Sequence, residues 1–248
     1  MSKPPLLSAH RGGPEGRYPP NSLAAIRAVL DDVGQAVDLI EFDVRVTADD
    51  RFVTYHDDSI PVDTGRVRVE ELTEADVLGR APDAARLADV LALIKGRACA
   101  HVDLKDARSE VEIVDACESV LGPAGFVVTT LEDESVRRIR AARPHINVGL
   151  SLGRGLRGLG PIKIAKLRWS EWRPGRRVLD CDPTLLAVNY TIARAGVLRW
   201  ANRHGLPVLA WTINDGRVLR KIAHDRRVWA YTTDYPRLAV RYRAPSQP

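Results

Sequence analysis

Eight short apolar runs separated by longer amphipathic stretches constrain this chain more than any other feature. The runs occupy residues 6–9, 38–44, 99–104, 126–130, 146–151, 185–189, 207–213 and 228–233. Between them lie stretches such as NSLAAIRAVLDDV (21–33), SEVEIVDACESVLG (109–122) and GRVLRKIAHD (216–225), whose apolar residues recur at helical spacing. Strands of about five residues alternating with helical patterns of about 10 to 15 make repeated βα units and a parallel sheet. Eight such units close an α/β TIM barrel, (β/α)8, which is the predicted fold; a doubly wound open sheet shares the periodicity and is the alternative. Asn21 is placed to cap the first helix, Gly205 to follow the helix 195–204 and Asp215 to start the next. With 248 residues, 45% of them hydrophobic, and neither internal repeat nor linker, residues 1–248 are expected to form a single domain. Two polar excursions break the rhythm, at 57–86 and 153–177, and both read as loops or short helices decorating one end of the barrel.

Charge narrows the partners. Both signs are interspersed over the 28% of charged residues, and the net +5 suits a small anion such as a phosphate rather than nucleic acid. No run approaches the roughly 18 apolar residues that span a bilayer, and MSKPPLLSAHRG lacks a signal-peptide core, so a cytoplasmic location is expected. The three cysteines, Cys99, Cys117 and Cys181, form no CxxC pair and read as reduced core thiols.

In a parallel barrel the functional residues gather at the C-terminal ends of the strands. The segment LIEFDVRVTADDRFVTYHDD (39–58) places Glu41 and Asp43 two apart on one strand, so both side chains share a face roughly 6–7 Å apart. Two unpaired buried carboxylates repel and are costly to desolvate, and a hard divalent cation removes that conflict. Asp103, on the next strand, is a third candidate ligand. His10 and His56 end two segments facing this cluster, and ring pKa values near neutrality let one take a proton while the other gives one. His101 precedes Asp103 by two and is ambiguous; His145, His204 and His224 fall away from the mouth.

HRGG, PPNSLAAI, EFDVRVTADDRFVTYHD, HVDLKD, LAWTIND and YTTDYP, in that order, resemble the glycerophosphodiester phosphodiesterase family over residues 7–238. The resemblance implies a TIM barrel that hydrolyses glycerophosphodiesters with one divalent ion, Ca²⁺ or Mg²⁺, releasing an alcohol and glycerol phosphate. It implies His10 and His56 as the catalytic pair, Glu41 and Asp43 as metal ligands, Arg11 and Lys105 as phosphate contacts, and Trp211 as an aromatic beside the substrate. Two positions depart from the pattern: Pro20 stands where the family has Glu, and Asp103 where it has a longer Glu. The divalent ion, Arg11 and Lys105 would together stabilise charge that grows on the phosphoryl oxygens in the transition state. The nucleophile is water or a substrate hydroxyl, the latter giving a cyclic phosphate first.

Other readings stay open. GRGLRG (153–158) matches the glycine pattern of a dinucleotide site, although no acid follows at the required distance. Pro20 leaves room for a silent barrel that only binds phosphorylated ligands. The segment 153–177, with eight Lys/Arg against Glu171 and with Trp169 and Trp172, suits peripheral contact with an anionic membrane and a lysophospholipid or sphingolipid headgroup substrate. The oligomeric state is not encoded in these motifs.

Overall fold

The structure, a computed structural model, describes residues 4–63, 65–156 and 158–243. Eight parallel strands form a closed barrel: β1 (Leu6–Ala9), β2 (Leu39–Val46), β3 (Cys99–Leu104), β4 (Phe126–Thr130), β5 (Val148–Leu152), β6 (Leu185–Asn189), β7 (Val208–Trp211) and β8 (Ala230–Thr233). Closure is made by Leu6 opposite Ala230 on one edge of β1 and Ser8 opposite Leu39 on the other. The open-sheet alternative is thereby excluded. The strands fall within about two residues of the apolar runs, because a strand buried on both faces reads as a continuous hydrophobic run.

Period-two alternation sorts the barrel interior into layers. Leu39, Val127, Leu185, Leu209 and Ala230 pack together as an apolar plug at the N-terminal end. Two residues further along the same strands stand Glu41, Thr129, Ala187, Trp211 and Thr232, and these line a cavity of about 330 Å³. Below the plug nothing polar is needed; above it the interior turns hydrophilic. The outward strand residues, among them Leu7, Ile40, Phe42, Val102, Val128 and Leu150, pack under the helix ring in one large core.

The helices include α1 (Leu23–Asp32), α2 (Glu74–Arg80), α3 (Leu87–Ile94), α4 (Glu110–Leu121), α5 (Asp133–Ala142), α6 (Pro161–Trp172) and α7 (Gly175–Cys181). The cap of α1 differs from the expectation. Ser22, not Asn21, accepts the Ala25 amide, and Asn21 has φ 65° with its side chain turned into the barrel. Asp215 caps its helix as expected, accepting from the Arg217 and Val218 amides.

The excursion at 153–177 holds the short helices expected of it, and the one at 57–86 holds strands as well. After β2 the chain runs back as Phe52–Thr54, forms the hairpin Ser59–Val62 with Gly65–Arg68, and continues into α2. Val53, Ile60, Val69, Leu72, Val77 and Ala81 give this appendage its own small core. In 153–177 the helix α6 starts with Pro161 at its first position, where the missing N–H costs nothing. That helix opens beyond the GRGLRG stretch, and no acid at a strand end follows the stretch at the distance a dinucleotide site needs.

Candidate active site

Every predicted site residue reaches the cavity at the C-terminal mouth. His10, Arg11, Glu41, Asp43, His56, Asp103, Lys105 and Trp211 all line it. The pairing of β2 with β3 sets Asp43 opposite Asp103 and Glu41 opposite His101, so the inward side chains of two strands meet in register. Glu41 and Asp43 are buried, and one carboxylate oxygen from each of Glu41, Asp43 and Asp103 lies within 4.8 Å of the others.

The acids are held unequally. Glu41 accepts the Arg11 backbone amide at 2.6 Å, a bond that the left-handed Arg11 (φ 50°) makes available. Burial pushes the Glu41 carboxyl up to about 7, opposed by the facing His10. Asp43 is also buried, which alone would raise it, but Lys105 and Arg11 outweigh burial and hold it well below the usual carboxylate range. Lys105 Nζ lies 2.7 Å from Asp43 Oδ1 and 2.5 Å from Asp103 Oδ2. Arg11 Nε lies 3.2 Å from Asp43 Oδ2. Lys105 donates a hydrogen bond to Asp103, whereas its approach to Asp43 Oδ1 and that of Arg11 Nε to Asp43 Oδ2 are ion pairs out of hydrogen-bond alignment. A buried carboxylate oxygen with only a misaligned ammonium beside it, close to oxygens of two further carboxylates, is what a divalent cation would complete.

Residues that the sequence reading left out hold the others in place. Asn21 donates to Asp43 Oδ2 at 2.9 Å and accepts the Asp43 amide at 3.0 Å, fixing that acid from both ends. Thr129 donates to Asp103 Oδ1 at 2.6 Å, so its oxygen must accept from His101 Nε2 at 3.0 Å, and His101 Nδ1 then accepts from Ser8 at 3.2 Å. Burial pushes the His101 ring down to about 4, with Asp103 only partly opposing, so the ring is neutral with its one proton on Nε2 and its Nδ1 is left to accept from Ser8. The signal was in the spacing: His101 is two residues from Asp103 and so shares its face.

The two histidines differ. His10 Nδ1 is 2.6 Å from Asp234 Oδ1, and its Nε2 faces Glu41 Oε2 at 3.9 Å. Asp234 is itself held by Asn214 at 2.5 Å. Burial alone would lower His10, but Glu41 and Asp234 outweigh it and raise the imidazole above its ordinary value. His56 sits at the rim with Nδ1 2.8 Å from Asp57 Oδ1. Burial lowers it, and Asp43 and Asp57 offset only part of the shift. Two imidazoles, each tied at Nδ1 to its own carboxylate, thus line the same cavity as the acidic cluster and the cations Arg11 and Lys105.

Fold and similarity together define a phosphoric diester hydrolase of the TIM-barrel class. The chain belongs to the glycerophosphoryl diester phosphodiesterase family, whose model matches residues 10–140. Over 95% of its length it is 26% identical to the Bacillus subtilis protein YhdW, covering 96% of that protein, whose name places it with the glycerophosphodiester phosphodiesterases. Its fold is similar to that of the glycerophosphodiester phosphodiesterase of Thermotoga maritima, with TM-score 0.73 at 19% identity, over 97% of this chain and 99% of that one. An Oleispira antarctica phosphodiesterase, solved with the product sn-glycerol-3-phosphate, matches with TM-score 0.72 at 20% identity over 96% of each chain.

Proposed function

We propose that the protein hydrolyses glycerophosphodiesters to an alcohol and glycerol phosphate with one divalent ion, Ca²⁺ or Mg²⁺, held by Glu41, Asp43 and Asp103. The observation that carries this reading is the meeting of three carboxylates, two of them buried, with His10 and His56 at a single mouth. Such an ion would neutralise the acid cluster and polarise the phosphoryl group. Arg11 and Lys105 contact the phosphate oxygens, and Trp211 packs against the substrate beside Gly153. His10 and His56 form the proton-transfer pair, one protonating the leaving alkoxide and the other taking the nucleophile's proton, since both line the cavity beside the carboxylates. Asp234 and Asp57 hold the two rings by their Nδ1 atoms. A small-molecule diester is the partner, and nucleic acid is not.

Peripheral contact of residues 153–177 with an anionic membrane belongs to the same reading, with lysophospholipids as an alternative substrate. Among the described residues no helix is long and apolar enough to cross a membrane. A cytoplasmic setting, tested by cell fractionation, fits the absence of disulfides among Cys99, Cys117 and Cys181.

The test is hydrolysis of glycerol, choline, ethanolamine and inositol phosphodiesters with and without EDTA. Activity that survives complete metal removal refutes the reading. His10→Ala and His56→Ala should each lower kcat by about 10² to 10⁴. A p-nitrophenyl ester, whose leaving group needs no proton, should restore one of the two variants and thereby identify the acid.

A further inference from the structure

Helix α6 half-buries Ile164 and Leu167 but also turns large apolar side chains to solvent. Its acid, Glu171, is 1% exposed, whereas Ile162 is 72% exposed and Trp169 and Trp172 are each 57% exposed. At 3.6 residues per turn Glu171 projects roughly half a turn away from Ile162, while Trp169, about two turns on, shares Ile162's side. Leu179 of α7 is 85% exposed, so four of the six large hydrophobic side chains exposed among the described residues fall between 162 and 179. A lone exposed apolar residue needs no explanation, but a patch marks an interaction surface. Lys163, Lys166, Arg173 and Arg176 are exposed among them, and the Arg173 guanidinium lies 4.4 Å from the Trp169 ring centre.

We propose that the outer face of α6 and α7 docks on an anionic lipid surface, with Ile162, Trp169, Trp172 and Leu179 in the interfacial layer and the four cations on the headgroups. Charge selects this occupant over a second copy of the chain, since a two-fold contact would press the same cations against one another. The inner side of α6 ties this surface to the cavity. Glu171 Oε1 accepts the Gly153 amide at 2.7 Å and the Arg154 amide at 2.8 Å, and its other oxygen pairs with Arg168. Gly153 and Gly155 line the cavity. One helix therefore faces lipid with one side and holds the cavity wall with the other. Resting on the diesterase reading, this makes a diester carried in the lipid surface the substrate class that the mouth meets.

The experiment is co-sedimentation of the full chain with phosphatidylglycerol and with phosphatidylcholine vesicles across a salt series, beside hydrolysis of soluble glycerophosphocholine. Binding to the anionic vesicles alone, falling steeply with salt, is expected. The Lys163→Gln, Lys166→Gln double variant should lose binding by roughly fivefold per cation. The Trp169→Ala, Trp172→Ala double variant should add a loss that salt does not change. Both should melt as the wild type does and keep soluble kcat/KM within about twofold. Equal binding to both vesicle types, or to neither, overturns the proposal, as does a concentration-dependent dimer in sedimentation equilibrium that Trp169→Ala dissociates. Soluble hydrolysis without vesicle binding removes this inference alone; vesicle binding with no hydrolysis of glycerophosphocholine or of a lysophospholipid in the vesicles supports the docking face and removes the diesterase reading together with the substrate class drawn from it.

Discussion

Glu41 shows how the site sets stability against chemistry. Its carboxyl, ordinarily near 4.5, is pushed up to about 7 by burial, so the folded chain prefers it protonated. A raised pKa contributes stability that is present below the ordinary value and lost as pH rises through the folded one. The metal-free protein should therefore weaken between about pH 4.5 and 7 by on the order of 3 kcal/mol. Glu41→Gln removes the charge while its amide oxygen still accepts from Arg11, and should raise the melting temperature of EDTA-treated protein at pH 8. The same variant should lose the stabilisation that Ca²⁺ or Mg²⁺ confers. A variant that melts below the wild type at pH 8 would show that Glu41 is not strained in this way. Thr129 offers a second measurement. Thr129→Val cuts the link from His101 to Asp103 and should weaken divalent-ion affinity by about 10- to 100-fold in calorimetry, whereas Thr129→Ser should keep it. Equal affinity in all three proteins would mean that Asp103 needs no orientation. The acids, His10 and His56 were legible because strand spacing and residue type declare them. Asn21 and Thr129 were not, and Asp234 was visible in YTTDYP only as a polar residue at a strand end, because a side chain that acts by holding another carries no chemistry of its own in the sequence.

Among the elements, the turn after β5 is closely walled in by the neighbouring strands. Gly153 has φ 127°, and a Cβ there would stand 2.5 Å from the Asn189 Cβ and 3.2 Å from the Trp211 ring. Gly153→Ala should both strain the backbone and push Trp211 into the cavity, so KM for the diester should rise more than kcat falls, with a stability loss of about 1–3 kcal/mol. An unchanged KM would place the substrate away from Trp211. The strands were readable almost to the residue because fully buried parallel strands leave uninterrupted apolar runs. The appendage over 57–86 was not, since its small core of Val53, Ile60, Val69, Leu72, Val77 and Ala81 is scattered through polar sequence with no steady period. The outward tryptophans of α6 were visible as composition, but which side of the helix carried them was settled by the burial of Glu171 beneath the Gly153 and Arg154 amides.

For the molecule as a whole, closure depends on joining its two ends. Arg237, on the last described helix, pairs with Glu15 at 2.9 Å and with Asp32, and its amide donates to Glu15 at 3.0 Å. Arg243 pairs with Asp38 at 2.7 Å, and Asp38 in turn accepts the Leu7 amide at 2.7 Å. Arg237→Ala strands a largely buried Glu15 and should cost about 2–4 kcal/mol, read from urea unfolding. A loss below about 0.5 kcal/mol would show that strand pairing alone closes the barrel. The number of apolar runs predicted closure, but these cross-chain pairs were beyond reach because their partners stand more than 200 positions apart. The apolar plug of Leu39, Val127, Leu185, Leu209 and Ala230 has a kinetic corollary. A vessel sealed at its base has one doorway, so the released phosphate must leave by the route along which the next diester arrives. Product and substrate then exclude each other, and glycerol phosphate should inhibit competitively, leaving the maximal rate untouched at saturating diester.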